Sequence, residues 1–511
     1  VPRREPLALM MMSPLEESMT TEQSAGQNDA RFVEDLTDIE DDFDRWYVEV
    51  NQKAGLVDNA PIRGCKILKP YGYALWEGCQ HYLDPRFKAL GVKNAFFPMF
   101  IPRAFLERES DHVAGFTPEV AWVTHGGGSA FPESEWWAVR PTSEAIIMPT
   151  IARWVQSYRD LPQLLNQWNS VFRWENRPRA WLRTSEFLWH EGHTAHSSGE
   201  EAEEFTLSIL RLFEEFLRDF LAIPSVPGLK SDSEKFAGAQ RTYSVEAMMG
   251  GKFWALQAGT SHYFGDNFGK AFDIQFLDRD GTRKFASTTS WAVSQRVIGA
   301  VIMVHGDEAG LILPPRIAPT QVIGVPIFRK DNERSEVEPA LNSALDTLKS
   351  VGVRVDSDWS ENRPGWKRSE WELKGVPLRL EVGPRDIAAN QVLVVRRDTR
   401  EKIQVPVAEL ATAIPALLDQ IQDALLAKAR EQMASKTVKV DSYDEFKTRV
   451  ANNEGWNMIR WCGDAACETA IKDETKATSR NLPLDGQPDP GPCMKCGQQA
   501  DGPRWIFARA Y

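Results

Sequence analysis

Two periods of hydrophobic and polar positions divide the chain. From Asp38 to Gly55 ("DIEDDFDRWYVEVNQKAG") apolar residues return at helical spacing behind an acidic start, and residues 66–91 repeat that spacing up to Gly91. "NAFFPMFIP" then predicts a strand, which Pro98 and Pro102 confine to an edge or a strand end. Helical spacing resumes over 145–161, where Pro149 should kink it. "NQWNSVFRWEN" (166–176) predicts a strand, and 199–222 a long amphipathic helix with its acids at the end the helix dipole favours. Alternation returns over 270–293 around the hairpin turn "DRDG". Strands joined by excursions, with few strand–helix–strand repeats, predict an α+β unit over 31–310, an antiparallel sheet flanked by helices. The proline-rich "GLILPPRIAPTQ" leads into strict strand–helix alternation, a compact α/β unit over 311–428, and a small cysteine-bearing α+β unit closes the chain over 429–511. Residues 1–30 read as a disordered leader.

Composition narrows this little. A chain of 511 residues, 42% hydrophobic and 26% charged, is ordinary for a globular protein. No apolar run approaches the ~20 residues needed to span a bilayer, so no membrane partner is expected. Arg3-Arg4 with "LALMMM" has too short an apolar core for a signal peptide, and the expected location is cytoplasmic. A net charge of −12 argues against coating nucleic acid non-specifically, but not against an RNA met by local arginine patches. Cys462, Cys467, Cys493 and Cys496 are spaced C-x4-C and C-x2-C, which suits four thiolates around zinc better than disulfides; a reduced thiol set is the alternative.

The densest chemistry lies between Val171 and His196, "VFRWENRPRAWLRTSEFLWHEGHTAH". Arg173 and Glu175 alternate on a strand and share a face; "NRPRAW" reads as a hairpin loop that brings Arg183 back beside them. Two guanidiniums on a sheet suit a triphosphate, and read alone they suit a surface ion-pair ladder equally. His190, His193 and His196 stand three apart, not the four a zinc-protease helix needs, so a metallohydrolase is disfavoured. In "RPTSEA", Thr142 and Glu144 share a side if extended and could hold a substrate ammonium. "QAGTSHYFG" offers Gln257, Thr260 and His262 beside glycines, and Ser294 and Arg296 open an apolar helix.

Taken together, "RPTSEA", "LNQWNSVFRWE", "LRTSEFLWHEGH", "EKFAGA", "GTSHYFG", "SW" with "VHGD", "LILPPRIAP" and "WELKGVPLRLEVGPRD" resemble, in order, the prolyl-tRNA synthetases of the type shared by archaea, eukaryotes and some bacteria. The resemblance implies a class II synthetase fold, an α/β anticodon-binding unit, a C-terminal zinc-binding unit and a homodimer. It implies ATP and proline as substrates, with Mg2+ on the pyrophosphate side, structural Zn2+ on the four cysteines, and tRNA(Pro) as partner. Arg173 and Arg296 would be catalytic. Arg173, Glu175, Arg183, Thr184, Gln257, Thr260, Ser294 and Arg296 would hold ATP, and Thr142, Glu144, Arg173, His262, Phe116, Trp189, Glu191 and Phe236 proline. Lys374, Glu381 and Arg385 would read the anticodon, unless they are structural ion pairs. Ser294 stands where eukaryotic members carry threonine, and His190 where they often have glutamine. About a hundred residues separate the second and third motifs, too few for an editing insertion, so some alanine or cysteine would be activated and not corrected. A non-catalytic paralogue is disfavoured because Arg173, Arg183 and Arg296 are all present.

Overall fold

The structure, a computed structural model, describes residues 36–112 and 120–511. The expected leader over 1–30 and Phe116 lie outside the described residues.

Two helices open the described chain, α1 (Phe43–Lys53) and α2 (Pro70–Ala89). A two-residue strand, β1 (Lys93–Asn94), comes next, and Phe100–Pro102 forms a strand in a separate three-stranded sheet. "NAFFPMFIP" is thus not one strand: it crosses between two sheets around Pro98, which has no N–H to give a ladder. Helix α3 (Glu144–Trp154) contains Pro149 and stops before the expected Leu161, giving way to a 3-10 turn at Tyr158–Asp160.

The sheet that carries the site follows in β2 (Gln163–Phe172) and β3 (Glu186–His196), joined by the predicted loop. Next come α4 (Gly199–Glu215), β4 (Ser225–Leu229), β5 (Arg241–Met248), β6 (Ala255–Gly265), β7 (Ser287–Ser294) and α5 (Arg296–His305). Ser198 caps α4 by accepting from the Glu201 N–H at 3.2 Å, a contact that contributes about 1 kcal/mol. One face of the sheet packs on α2 and α4 through Trp76, Leu83, Phe87, Ile209 and Phe213, all buried.

The α/β unit comprises β8 (Val322–Pro326), α6 (Asp331–Ser350), β9 (Val355–Ser357), α7 (Pro364–Leu373), β10 (Leu378–Val382), β11 (Gln391–Arg396), β12 (Lys402–Pro406) and α8 (Leu410–Ser435). Its sheet runs β9-β8-β10-β11-β12, parallel at β9-β8-β10 and antiparallel beyond. Helix α8 continues through the expected boundary at 428–429 to Ser435.

The last unit contains β13 (Thr437–Lys439), β14 (Trp456–Ile459), α9 (Ala465–Thr475), β15 (Thr478–Pro483) and β16 (Trp505–Ala508). Its strands join the first sheet, giving eleven in the order β13-β14-β16-β15-β4-β5-β6-β7-β3-β2-β1. The seam is β15 against β4, with Gly228 opposite Pro483 and Leu229 opposite Leu482. Within this sheet β13–β14 and β1–β2 are parallel pairs, and the rest are antiparallel.

Candidate active site

Strand β3 sits near the middle of the sheet, and "HEGHTAH" is buried throughout. Alternation sends Trp189, Glu191 and His193 to one face and His190, Gly192 and His196 to the other. The three histidines therefore do not converge on a metal. His190 packs against Phe87 and Trp168, and burial pulls it down to about 3, keeping it neutral. Gly192 is required sterically: a Cβ there would lie within 2.0 Å of the Trp291 indole.

On the open face, two cavities meet at Arg173. The first, of about 170 Å³, is bounded by Thr142, Glu144, Trp189, Glu191, Phe236 and His262, and also by His193, Thr242, Gln257 and Thr260. "RPTSEA" is not extended; Ser143 stands just before α3 with its hydroxyl given to Glu191 and not to the helix end, Glu144 is the first helical residue, and Thr142 Oγ1 donates to the Glu144 carboxylate across that corner. The shared side expected for Thr142 and Glu144 thus exists, made by a helix start. Glu191 accepts from Asn169 Nδ2 at 2.7 Å, Gln167 Nε2 at 2.9 Å, the Ser143 N–H at 3.1 Å and the Ser143 hydroxyl. Its other partner is His193 Nε2 at 3.2 Å. Burial alone would raise the Glu191 carboxyl, but these donors outweigh it and hold it ionised well below the usual range. Burial likewise opposes charge on His193, yet Glu191 and Glu144 raise it overall. His262, buried and facing the His193 charge, is lowered to about 3 and stays neutral.

Gln257 and Thr260 stand three apart, so an unbroken strand would aim them to opposite faces. A bulge corrects this: Glu246 pairs with Gln257 but Val245 with Gly259, leaving Ala258 as an extra residue that reverses the parity. Both side chains then line the first cavity, not the second that an ATP role suggested.

The second cavity, about 260 Å³, gathers Glu175, Arg183, Thr184, Ser294 and Arg296 with Trp174, Trp181 and Phe187. Glu175 and Arg183 pair at 3.2 Å. Arg296 donates to the Leu182 and Gln257 carbonyls at 3.2 and 3.5 Å, and burial, with repulsion from Arg183 and Arg173, lowers it to about 10. Arg173 lines both cavities, tied by Nε to the Pro141 carbonyl at 2.8 Å and lying 5.1 Å from the Trp189 ring centroid. Tyr511, the last residue, rests 5.2 Å from the Arg179 guanidinium in the loop that bounds this cavity. Thr242 and Phe187 were missed in the sequence; only their nearness to the quoted motifs could have flagged them.

Farther off, the four cysteines cluster with their sulfurs within 4.8 Å of one another and with none in a disulfide. The separations Cys462–Cys496 (3.6 Å) and Cys467–Cys493 (3.7 Å) match the ~3.8 Å edge of a tetrahedron with ~2.3 Å metal–sulfur bonds. Burial raises the Cys493 thiol, but backbone N–H groups of Cys496, Lys495 and Cys462 bring it to about 7. The donor set fits zinc. In the α/β unit, the expected anticodon residues have internal partners or none inward. Glu381 is buried between Arg368 at 2.7 Å and Arg379 at 2.8 Å, Lys374 bonds Glu370 at 2.8 Å, and Arg385 is exposed. A cavity of about 130 Å³ nearby is instead lined by Trp371, Glu372, Arg379, Arg396, Arg400 and Lys402.

An antiparallel sheet that presents cations from a strand pair and from a following helix is the architecture of a class II aminoacyl-tRNA synthetase. Residues 131–305 match the family model "tRNA synthetase class II core domain (G, H, P, S and T)", and 321–417 match "Anticodon binding domain". Residues 443–511 match "Prolyl-tRNA synthetase, C-terminal". The chain is 52% identical over 488 residues to the proline–tRNA ligase of Symbiobacterium thermophilum, covering 94% of this chain and 99% of that one. It is 50% identical to that of Lachnoclostridium phytofermentans, covering 93% and 98%. Among solved structures, prolyl-tRNA synthetase from Cryptosporidium parvum complexed with L-proline and AMP superposes with a TM-score of 0.87 at 41% identity, covering 93% of this chain and 99% of that one. The chain belongs to the prolyl-tRNA synthetase family, whose reaction is the charging of tRNA with proline.

Proposed function

We propose that the first cavity binds proline, the second binds ATP, and Arg173 joins them at the reacting atoms. The observation that carries this reading is that Arg173 alone among the three ATP arginines borders both spaces. The Glu144 and Glu191 carboxylates and the Thr142 hydroxyl supply acceptors for the ring ammonium of proline; Trp189, Phe236 and neutral His262 enclose its methylenes. The proline carboxylate attacks the α-phosphorus, the bond to the bridging oxygen breaks, and pyrophosphate leaves. Arg173 and Arg296 stabilise charge on the phosphate oxygens as it builds, and preorganised cations away from water are the largest source of acceleration for such a step. Gln257 and Thr260 act from the proline side, at the junction. Among the described residues, Glu175 is the carboxylate that bounds the second cavity, and it would help hold a magnesium ion that offsets charge on the leaving pyrophosphate. A tRNA 3′ hydroxyl then takes the prolyl group from the adenylate, with no covalent enzyme intermediate.

The remaining assignments rest on the same family reading. The chain divides into a catalytic unit (31–310), an anticodon-binding unit that runs from 311 to the end of α8 at Ser435, and a zinc-binding unit beyond it whose Cys462, Cys467, Cys493 and Cys496 hold the ion. The cavity at Trp371 and Arg379 suits an anticodon base, one aromatic face with cations for the backbone, and exposed Arg385 stays a candidate for a separate contact with the RNA. Homodimer formation is supported by apolar exposure near the β1 edge, where Phe96 is 81% and Met99 42% exposed. A cytoplasmic location follows from the family reading; no helix of the described residues is long and apolar enough to cross a membrane. Residues 197–286 hold α4, the turn Phe216–Phe220, β4, β5, β6, the short helix Asn267–Ala271 and the hairpin of Gln275–Leu277 with Arg283–Phe285; the family reading assigns no editing function to them.

Amino-acid-dependent exchange of labelled pyrophosphate into ATP, without tRNA, tests the reading. Strong exchange with proline and weak exchange with alanine or cysteine is expected. Equal exchange with a larger amino acid would contradict the pocket.

A further inference from the structure

The reaction above makes no use of helix α1, yet three residues on one of its faces hold three successive residues of the loop between β2 and β3. Asp44, Tyr47 and Asn51 stand at positions i, i+3 and i+7 of the helix. Asp44 Oδ1 pairs with Arg179 Nη2 at 2.8 Å, and its other oxygen pairs with Lys252. The Tyr47 hydroxyl donates to the Ala180 carbonyl at 2.8 Å, and Asn51 Oδ1 accepts from Trp181 Nε1 at 2.7 Å. Asn51 Nδ2 donates in turn to the Tyr47 carbonyl at 2.8 Å. Tyr47, Asn51 and Trp181 are all buried, so water does not replace these bonds when one partner is lost.

The part held is the turn that ends at Arg183. Arg179 and Arg183 form an antiparallel bridge, with N–H to carbonyl distances of 2.6 and 3.0 Å, that closes over residues 180–182. Trp181, at the centre of the turn, has φ 64°, a left-handed backbone that glycine or asparagine adopts readily and a bulky side chain does not. Such a conformation persists only where the surroundings hold it, and here the Asn51 bond does so. Two cations of the second cavity depend on this turn: Arg183 follows it directly, and Arg296 Nε donates to the Leu182 carbonyl at 3.2 Å. We infer that Asn51 is a positioning residue for the nucleotide step: it fixes Trp181 in the turn and so sets where the Arg183 and Arg296 guanidiniums meet phosphate oxygens. Asp44 and Tyr47 brace the two residues before it. The inference rests on the reading that the second cavity binds ATP. Thr142, Glu144 and Glu191 lie outside the turn, so proline binding is spared.

The test is pyrophosphate exchange by the full-length protein, with KM measured separately for ATP and proline. Asn51→Leu leaves the Trp181 N–H unpaired and should raise the KM for ATP about fivefold, with that for proline within about twofold. Trp181→Phe removes the same bond from the other side. Because the pair acts as one unit, adding Asn51→Leu to Trp181→Phe should change the KM for ATP by less than about twofold. Two effects that multiply in full overturn the inference. So does a rise in both KM values together, or a fall in Tm with neither KM moved. If Asn51→Leu does not fold, Asp44→Asn at the partly exposed end of the helix carries the test. It releases Arg179 and should raise the KM for ATP about threefold; an unchanged value overturns the inference. Arg183→Gln separates the two readings. A KM for ATP unmoved by Arg183→Gln defeats the assignment of the ATP site, whereas a raised one beside silent Asn51 and Asp44 variants defeats only the role of α1.

Discussion

Glu191 and His193 are two residues apart on one strand, and each fixes the charge of the other. His193 Nε2 lies 3.2 Å from the Glu191 carboxylate, and both side chains are buried. The imidazole is raised above its ordinary value in the fold, so it binds its proton more tightly folded than unfolded. The stability this contributes is complete below the unfolded value of about 6.5 and is lost as pH rises through the raised value. His193→Gln should therefore lower Tm more at about pH 6 than at about pH 9. An equal loss at both would mean that the imidazolium adds nothing. At this scale the residues that come together were named in the sequence: Glu144, Glu191 and Arg173 border the first cavity and Arg173 and Arg296 the second, Glu191 having been named through the family resemblance and not by its spacing. What was not legible was partnership. Glu381 looked like a reader of RNA and is an ion pair within its own unit, because Arg368 comes from a helix packed beside its strand. No spacing rule along the chain contains that contact.

The elements show why the motifs keep their order of residues. In β3 the indole of Trp291 lies across Gly192, its cross-strand partner, where a Cβ would come within 2.0 Å of it. Gly192→Ala should destabilise the protein by about 1–3 kcal/mol, read as a lower midpoint in urea denaturation. An unchanged midpoint would mean that Trp291 moves aside at no cost. The bulge at Ala258 is the second device, since it brings Gln257 and Thr260 to one cavity. A bulge has no sequence signature of its own here, which is why the spacing of Gln257 and Thr260 does not show that both line the first cavity. Helices with clear periodicity were legible, while "NAFFPMFIP" was not, because two short strands on different sheets look like one longer strand until their partners are known.

Across the whole molecule, the C-terminal unit is less separate than its own cysteines suggested. Three domains were expected, yet one sheet runs from β13 to β1, and Tyr511 lies against Arg179 in the loop beside the second cavity. Zinc bound by the four thiolates should stabilise α9, since Cys467 is in its first turn, capped by Asp464 accepting from the Cys467 N–H at 2.8 Å. We expect about one zinc ion per chain by elemental analysis. Removing it by chelation should speed amide exchange in β15 and, across the seam, in β4. Exchange confined to the cysteine loops would mean that the two units are coupled in sequence but not in stability. The central claim concerns the point where the two cavities meet, and a crystal structure with proline and a non-hydrolysable ATP analogue tests it most directly. The account predicts the proline carboxylate and the α-phosphate oxygens together on the Arg173 guanidinium, with the ring ammonium at Thr142 and Glu144. Proline bound in the first cavity with its carboxylate turned away from Arg173, or an α-phosphate beyond its reach, would contradict it.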